Sequence, residues 1–200
     1  MRVLSGVIVL VLLFASQALG QEVSWGAKGG VNWATLASDQ DPGPEFKYRI
    51  GIIAGGFFTA PIGARLDVQP EVLFSQQGAS FDDTGLDSVV IKLDYVVTPI
   101  LVRYKLSSTG RGLVIFGGPS LGFKVTSKVT AESSGQSTSE DIGDDIESVD
   151  FGVVFGAGWE AGRLTIDGRY TWGLSNIGKD ETDPEKVTHR VIAVMAGIRF

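Results

Sequence analysis

The chain of 200 residues carries a formal charge of −6, one histidine and no cysteine. That length allows one domain of ordinary size. The missing cysteines remove disulfides, thiolate metal sites and cysteine nucleophiles, and the negative charge argues against a nucleic-acid partner.

Residues 1–20 read as an export signal: Arg2 in a basic start, an apolar run from Val7 to Ala15, and Ala18-Leu19-Gly20 as a small-residue cleavage site before Gln21. The run is too short to span a membrane as a helix. Residues 21–200 form the mature domain, outside the cytoplasm.

Strand patterns fill that domain. From Val23 to Leu36, Val23, Trp25, Ala27, Val31 and Trp33 share one face, and Ser24, Gly26, Lys28, Gly30 and Asn32 the other. Such a period of two is the mark of a strand. A polar stretch from Ser38 to Lys47 precedes a second strand, Tyr48 to Ala60, which a short Pro61-Ile62-Gly63 turn joins to the third. The third, Ala64 to Gln77, sets Ala64, Leu66, Val68, Pro70, Val72 and Phe74 against Arg65, Asp67, Gln69, Glu71 and Ser75, with only Leu73 out of place. It is long enough to cross a bilayer when tilted.

A polar loop at 78–88 leads to a fourth strand, Val89 to Leu106, in which the apolar set slips by one position after Pro99. The slip predicts a bulge at Thr98-Pro99. After a turn at 107–111 come a fifth strand, Gly112 to Thr126, and the longest interruption, Ser127 to Ser148, whose composition predicts a loop that does not order itself. Strands six (Val149 to Glu160) and seven (Leu164 to Ser175) are joined by Ala161-Gly162-Arg163. A loop at 176–188 leads to strand eight, His189 to Phe200.

Connections thus alternate long and short across eight strands. With both termini at the short-turn end, this is the layout of an all-β, eight-stranded antiparallel up-and-down transmembrane barrel of a bacterial outer membrane. Aromatics cluster at both ends of the apolar set: Trp25, Phe58, Tyr104, Trp159 and Phe200 near the short turns, and Trp33, Tyr48, Phe74, Phe151 and Trp172 near the long loops. They read as two interfacial girdles, so the apolar set faces lipid. A soluble barrel or sandwich with that set inside leaves the girdles unexplained.

The opposite set is small or charged and fills a narrow lumen. Bases Lys28, Arg49, Arg65, Lys92, Lys124 and Arg169 stand there against acids Asp67, Glu71, Asp94, Asp150, Glu160 and Asp167, and mutual pairing is their best compensation. The predicted network runs through Lys28, Arg49, Arg65, Asp67, Glu71, Lys92, Asp94, Asp167 and Arg169. Phe200, ending an alternating strand with Ile192, Val194, Ala196 and Ile198, resembles the terminal signal read by barrel-assembly machinery.

GAKGGVNWATL at Gly26 to Leu36, DVQPEVLFSQQGA at Asp67 to Ala79, KLDYVVTPILVRYKL at Lys92 to Leu106 and GGPSLGF at Gly117 to Phe123 together resemble the PorT-type outer-membrane β-barrel family. The resemblance covers essentially the whole mature chain and implies an OmpA-like barrel in a Gram-negative outer membrane. For role it implies only that an accessory part in protein secretion is open, because fold does not fix function.

Three classes of role follow. The first is a non-enzymatic barrel embedded in outer-membrane lipid, whose long acidic loops meet a protein partner, in a secretion complex or alone. The second is an outer-membrane enzyme of protease or lipid A acyl hydrolase type, for which Ser175 and His189 are the conceivable pair. The third is a narrow transport pore. Glu140, Asp141, Asp144 and Asp145 offer oxygen ligands to calcium but lack EF-hand spacing, and no catalytic residue, cofactor or metal is assigned.

Overall fold

The computed structural model describes residues 23–38, 47–83, 86–107, 111–133, 136–141, 147–176 and 187–200. The export signal at 1–20 lies outside them. The described residues form nine strands: β1 (Ser24–Ser38), β2 (Lys47–Pro61), β3 (Leu66–Asp83), β4 (Leu86–Lys105), β5 (Arg111–Ser133), β6 (Gln136–Asp141), β7 (Val149–Ala161), β8 (Leu164–Gly173) and β9 (Val187–Arg199).

Eight of them close a barrel, as the alternation predicts. β1 to β5 pair in sequence, β5 pairs with β7, β7 with β8, β8 with β9, and β9 returns to β1, every pair antiparallel. Closure leaves the wall no free edge, the condition for a sheet to sit in hydrocarbon. The seam is fastened at its low end: Phe200 N donates to the Trp25 carbonyl at 2.7 Å and Arg199 N to that of Arg163 at 2.8 Å. The Phe200 and Trp25 rings lie 4.6 Å apart. Tight turns serve this end, and Gly162 takes a φ of 65° in one of them, a conformation that costs glycine little.

The apolar set faces outward. Ile50, Phe58, Val72, Ile166 and Trp159 are all exposed, Ile50 by 67%, and exposure on that scale around a whole wall suits lipid rather than water. The inward set is small or polar. At Gly30 a Cβ would stand 1.9 Å from the Val194 carbonyl oxygen, so only glycine lets the neighbouring strand come this close.

Three sequence expectations need correction. The polar loop at 78–88 is mostly ladder, since β3 runs to Asp83 and β4 starts at Leu86. The interruption from Ser127 to Ser148 also begins as sheet: β5 continues to Ser133, and β6 pairs back on it from Lys128↔Asp141 to Ser133↔Gln136. Backbone hydrogen bonding orders these residues despite their low apolar content.

The bulge at Thr98-Pro99 is absent. β4 keeps one register against β3 from Leu66↔Tyr104 to Phe81↔Val89, and Leu93, Tyr95, Pro99, Leu101 and Arg103 are all buried on its inner side. The extra residue sits in β5 instead, where Asp94↔Thr126 and Tyr95↔Lys124 bracket Val125. The apparent slip in β4 has another cause. Above the girdle marked by Phe74 and its partner Val96, the outer face meets water, so apolar Leu93 and Tyr95 turn inward and Lys92 turns out.

Overpacking at a close backbone approach gives a clean test of this wall. Gly30→Ala should cost about 1–3 kcal/mol, read as a lower heat-modifiability midpoint on gels. Gly168→Ala, where a Cβ meets nothing within 4 Å, should leave the midpoint unchanged.

Candidate functional site in the barrel lumen

Alternation sets residues two apart on the same inner face, and this builds the site. Asp67, Gln69 and Glu71 stack along β3, Asp167 and Arg169 along β8, and Arg103 and Lys105 along β4. Across the lumen these meet Lys28 of β1, Glu160 of β7 and Arg199 of β9.

The central cluster surrounds Glu71, whose side chain is fully buried. Lys28 Nζ donates to its Oε1 at 2.8 Å, Arg169 Nη1 to its Oε2 at 2.7 Å, and Gln69 Nε2 to Oε1 at 2.6 Å. Asp167 closes the ring, 3.1 Å from Lys28 Nζ and 3.0 Å from Arg169 Nε. Thr59 Oγ1 in turn donates to Gln69 Oε1 at 2.9 Å. Two aromatic faces cap the cations: Lys28 Nζ is 4.8 Å from the Phe57 ring centroid, and the Arg169 guanidinium 5.2 Å from that of Phe116. Each arrangement offsets part of the desolvation cost that buried charges incur.

Nearer the short turns lies a second cluster. Arg103 bonds Glu160, Arg199 bonds the same carboxylate, and Lys105 Nζ donates to Asp67 Oδ1 at 2.8 Å. Arg103 Nη1 stands 3.6 Å from Asp67, an ion-pair distance beyond hydrogen-bond reach. A gap between the two clusters, lined by Lys28, Gln69, Arg103 and Asp167 among others, amounts to about 20 Å³, room for about one water molecule.

Above the charges the lumen turns apolar, with Ile53, Leu73, Ala193 and Met195 packed against Val97. Leu73, the one residue out of phase in its strand, is 1% exposed here. Asn32 Nδ2 then donates to Ser75 Oγ at 2.9 Å and Gln77 Nε2 to the same oxygen at 3.2 Å. The top layer is Leu36, Ala79, Leu93 and Tyr95. His189 Nε2 lies 3.2 Å from the Tyr95 hydroxyl, ring edge to ring face.

Of the residues predicted for the network, the structure brings Lys28, Asp67, Glu71, Asp167 and Arg169 together. Arg65 is exposed in the turn before β3, and Lys92 is exposed on β4, so neither joins. Arg49 is half-buried and donates to the Gln77 carbonyl. Asp94 shares Lys92's side of β4 and interacts electrostatically with Arg49. The expected pairing of Arg65 with Asp67 and Glu71 is replaced by Lys105 and Arg103 on Asp67, and Lys28 and Arg169 on Glu71. Arg103 and Lys105 were legible, since both alternate with outward Tyr104, yet the predicted network leaves them out. Arg199 was legible, since it alternates with outward Phe200.

Ser175 and His189 do not form a nucleophile and base. The Ser175 hydroxyl donates to Asp150 Oδ1 at 2.6 Å and accepts from Phe151 N at 2.8 Å, while His189 engages Tyr95. Among the described residues no group of three His, Asp or Glu side chains could hold a metal. The side chains of Glu140, Asp141, Asp144 and Asp145 lie outside the described residues.

The model of a family described as outer membrane protein beta-barrel domain matches residues 14–178. Among solved structures the chain is similar to Ail, the attachment invasion locus protein of Yersinia pestis, at 17% identity and a TM-score of 0.51, with 90% of this chain and 100% of that one covered. It is also similar to Neisserial surface protein A, at 14% identity and a TM-score of 0.48 over 90% and 98% of the two chains. For the outer membrane protein OprG of Pseudomonas aeruginosa the values are 10% and 0.46, over 88% and 95%. No curated protein matches the chain. At these identities the likeness is one of fold.

The network sorts two substitutions. Glu71→Gln leaves Lys28 and Arg169 short of charge in a dry ring and should destabilise the barrel by about 3–5 kcal/mol. Arg65→Met removes an exposed side chain and should stay within about 0.5 kcal/mol. Urea unfolding in detergent, followed by gel shift, measures both.

Proposed function

Because the chain belongs to the family of outer membrane protein beta-barrel domains, and so is a barrel of the bacterial outer membrane, we propose that it works there as a closed, non-enzymatic scaffold. Its role is carried by the loop side, and the signal at 1–20 is removed on export. The observation that carries this reading is the filled lumen: two charge clusters below, then Ile53, Leu73 and Met195, then Tyr95 and His189. A barrel of eight strands has just the interior that side chains fill, and here ion pairs interlock across it.

Support for an interaction role comes from the loop end. β3, β4, β5 and β6 continue beyond the girdle as one antiparallel ladder, with Ser88↔Glu132 and Glu132↔Ser137 near its tip. The connections around it are acidic in sequence. A raised sheet bearing such loops offers a positioned surface to a protein partner. The PorT-type resemblance favours a partner within a secretion machine, with the barrel as an accessory.

Planar-bilayer recording of the purified protein tests the closed lumen: no stable conductance is expected, and reproducible channels would overturn the reading. In cells, a tag inserted near Gly135 should be reachable from outside without loss of the folded barrel. The mature mass should correspond to a start at Gln21.

A further inference from the structure

The short-turn end, periplasmic in barrels of this layout, has an uneven charge. Arg65 stands exposed in the turn between β2 and β3, and Arg163 in the turn between β7 and β8. Lys105 and Arg199 reach the same mouth, with side chains 24% and 22% exposed. The acids of this end, Asp67 and Glu160, are 2% and 3% exposed. Both are drawn into the lumen, Asp67 by Lys105 and Arg103, Glu160 by Arg103 and Arg199. Three bases thus meet two acids inside, and among the described residues no side-chain carboxylate faces water at this rim.

The depth of the cations matters as much as their sign. Arg65 precedes Leu66, which pairs with Tyr104, and Arg163 follows the turn from Trp159, which pairs with Ile166. Both therefore sit just beyond the lower aromatic girdle, where headgroup phosphates lie. A guanidinium offers a planar fork that fits phosphate oxygens two at a time. We propose that this rim binds anionic phospholipid headgroups of the periplasmic leaflet, the Arg65 and Arg163 side chains gripping the phosphates. A zwitterionic lipid brings its own cation to the same place and gains less from the surplus.

The full mature chain in vesicles of phosphatidylcholine, with and without phosphatidylglycerol, provides the test. Phosphatidylglycerol should raise the heat-modifiability midpoint, and lipid retained after gentle detergent extraction, read by native mass spectrometry, should be several-fold enriched in it. Both effects should vanish in Arg65→Gln/Arg163→Gln. These substitutions spare the fold, because the backbone carbonyls of Arg65 and Arg163, not their side chains, accept from Lys105 N and Arg199 N. Lys47→Gln/Arg190→Gln, at the opposite rim, should retain both effects. Three results would each overturn the proposal: no enrichment in the wild type, enrichment that survives the rim substitutions, or an equal midpoint shift from inorganic phosphate added to lipid-free protein in detergent. The last would assign the rim to a soluble anion.

Discussion

The interior of a closed eight-stranded sheet must be filled by its own side chains, and whatever is polar there must find its partners there. Lipid on the outer face forbids any other solution. Glu71 shows the consequence at its sharpest. It stands at the middle of the wall with no access to water, so it is tolerable only because Lys28, Arg169 and Gln69 converge on it. Those three come from β1, β8 and β3, so the ring ties together strands that are not neighbours in the sheet. Phe57 and Phe116 fill what remains of that layer and lend their faces to the cations.

The same constraint changes form with height. In the bilayer the outer face is apolar and the inner face polar, whereas above the upper girdle water reaches the outside and the rule reverses. β4 records the change within one strand. Tyr104, Val102 and Ile100 point out low on it, while Leu93 and Tyr95 point in near its top. The top apolar layer of Leu36, Ala79, Leu93 and Tyr95 is therefore the core of a water-exposed sheet resting on a membrane barrel. His189 belongs to that core, packed against Tyr95 beside Leu36 and Leu93.

Strand number, the lipid-facing set and five members of the lumen network were legible in the sequence because period-two alternation survives wherever one solvent lies on each side. It misleads where the solvent changes. Alternation places Lys92 and Asp94 in the lumen only if the apolar set faces lipid along all of β4, and near the top of that strand Leu93 and Tyr95 face inward. The apparent phase slip then falls at Pro99, the residue with a reason to break a ladder. Arg103 and Lys105 fall on the lumen side with or without a bulge there, because both alternate with outward Tyr104. β6 was hidden for a different reason: Gln136–Asp141 is held by backbone hydrogen bonds to β5, which leave no mark in apolar periodicity.

The lumen's demand for pairing also decides the chemistry of the rim. Asp67 and Glu160 lie within a turn of the periplasmic mouth, and left in water they would neutralise the arginines beside them. Burial with Arg103, Lys105 and Arg199 removes them from the surface, because a buried carboxylate without a cation is far costlier than one at the mouth. Among the described residues the exposed arginines then meet no side-chain carboxylate at the depth of the headgroups. One set of interactions thus packs the barrel and sets the sign of the surface it presents to the periplasmic leaflet. A substitution that frees either acid from the lumen would alter both at once.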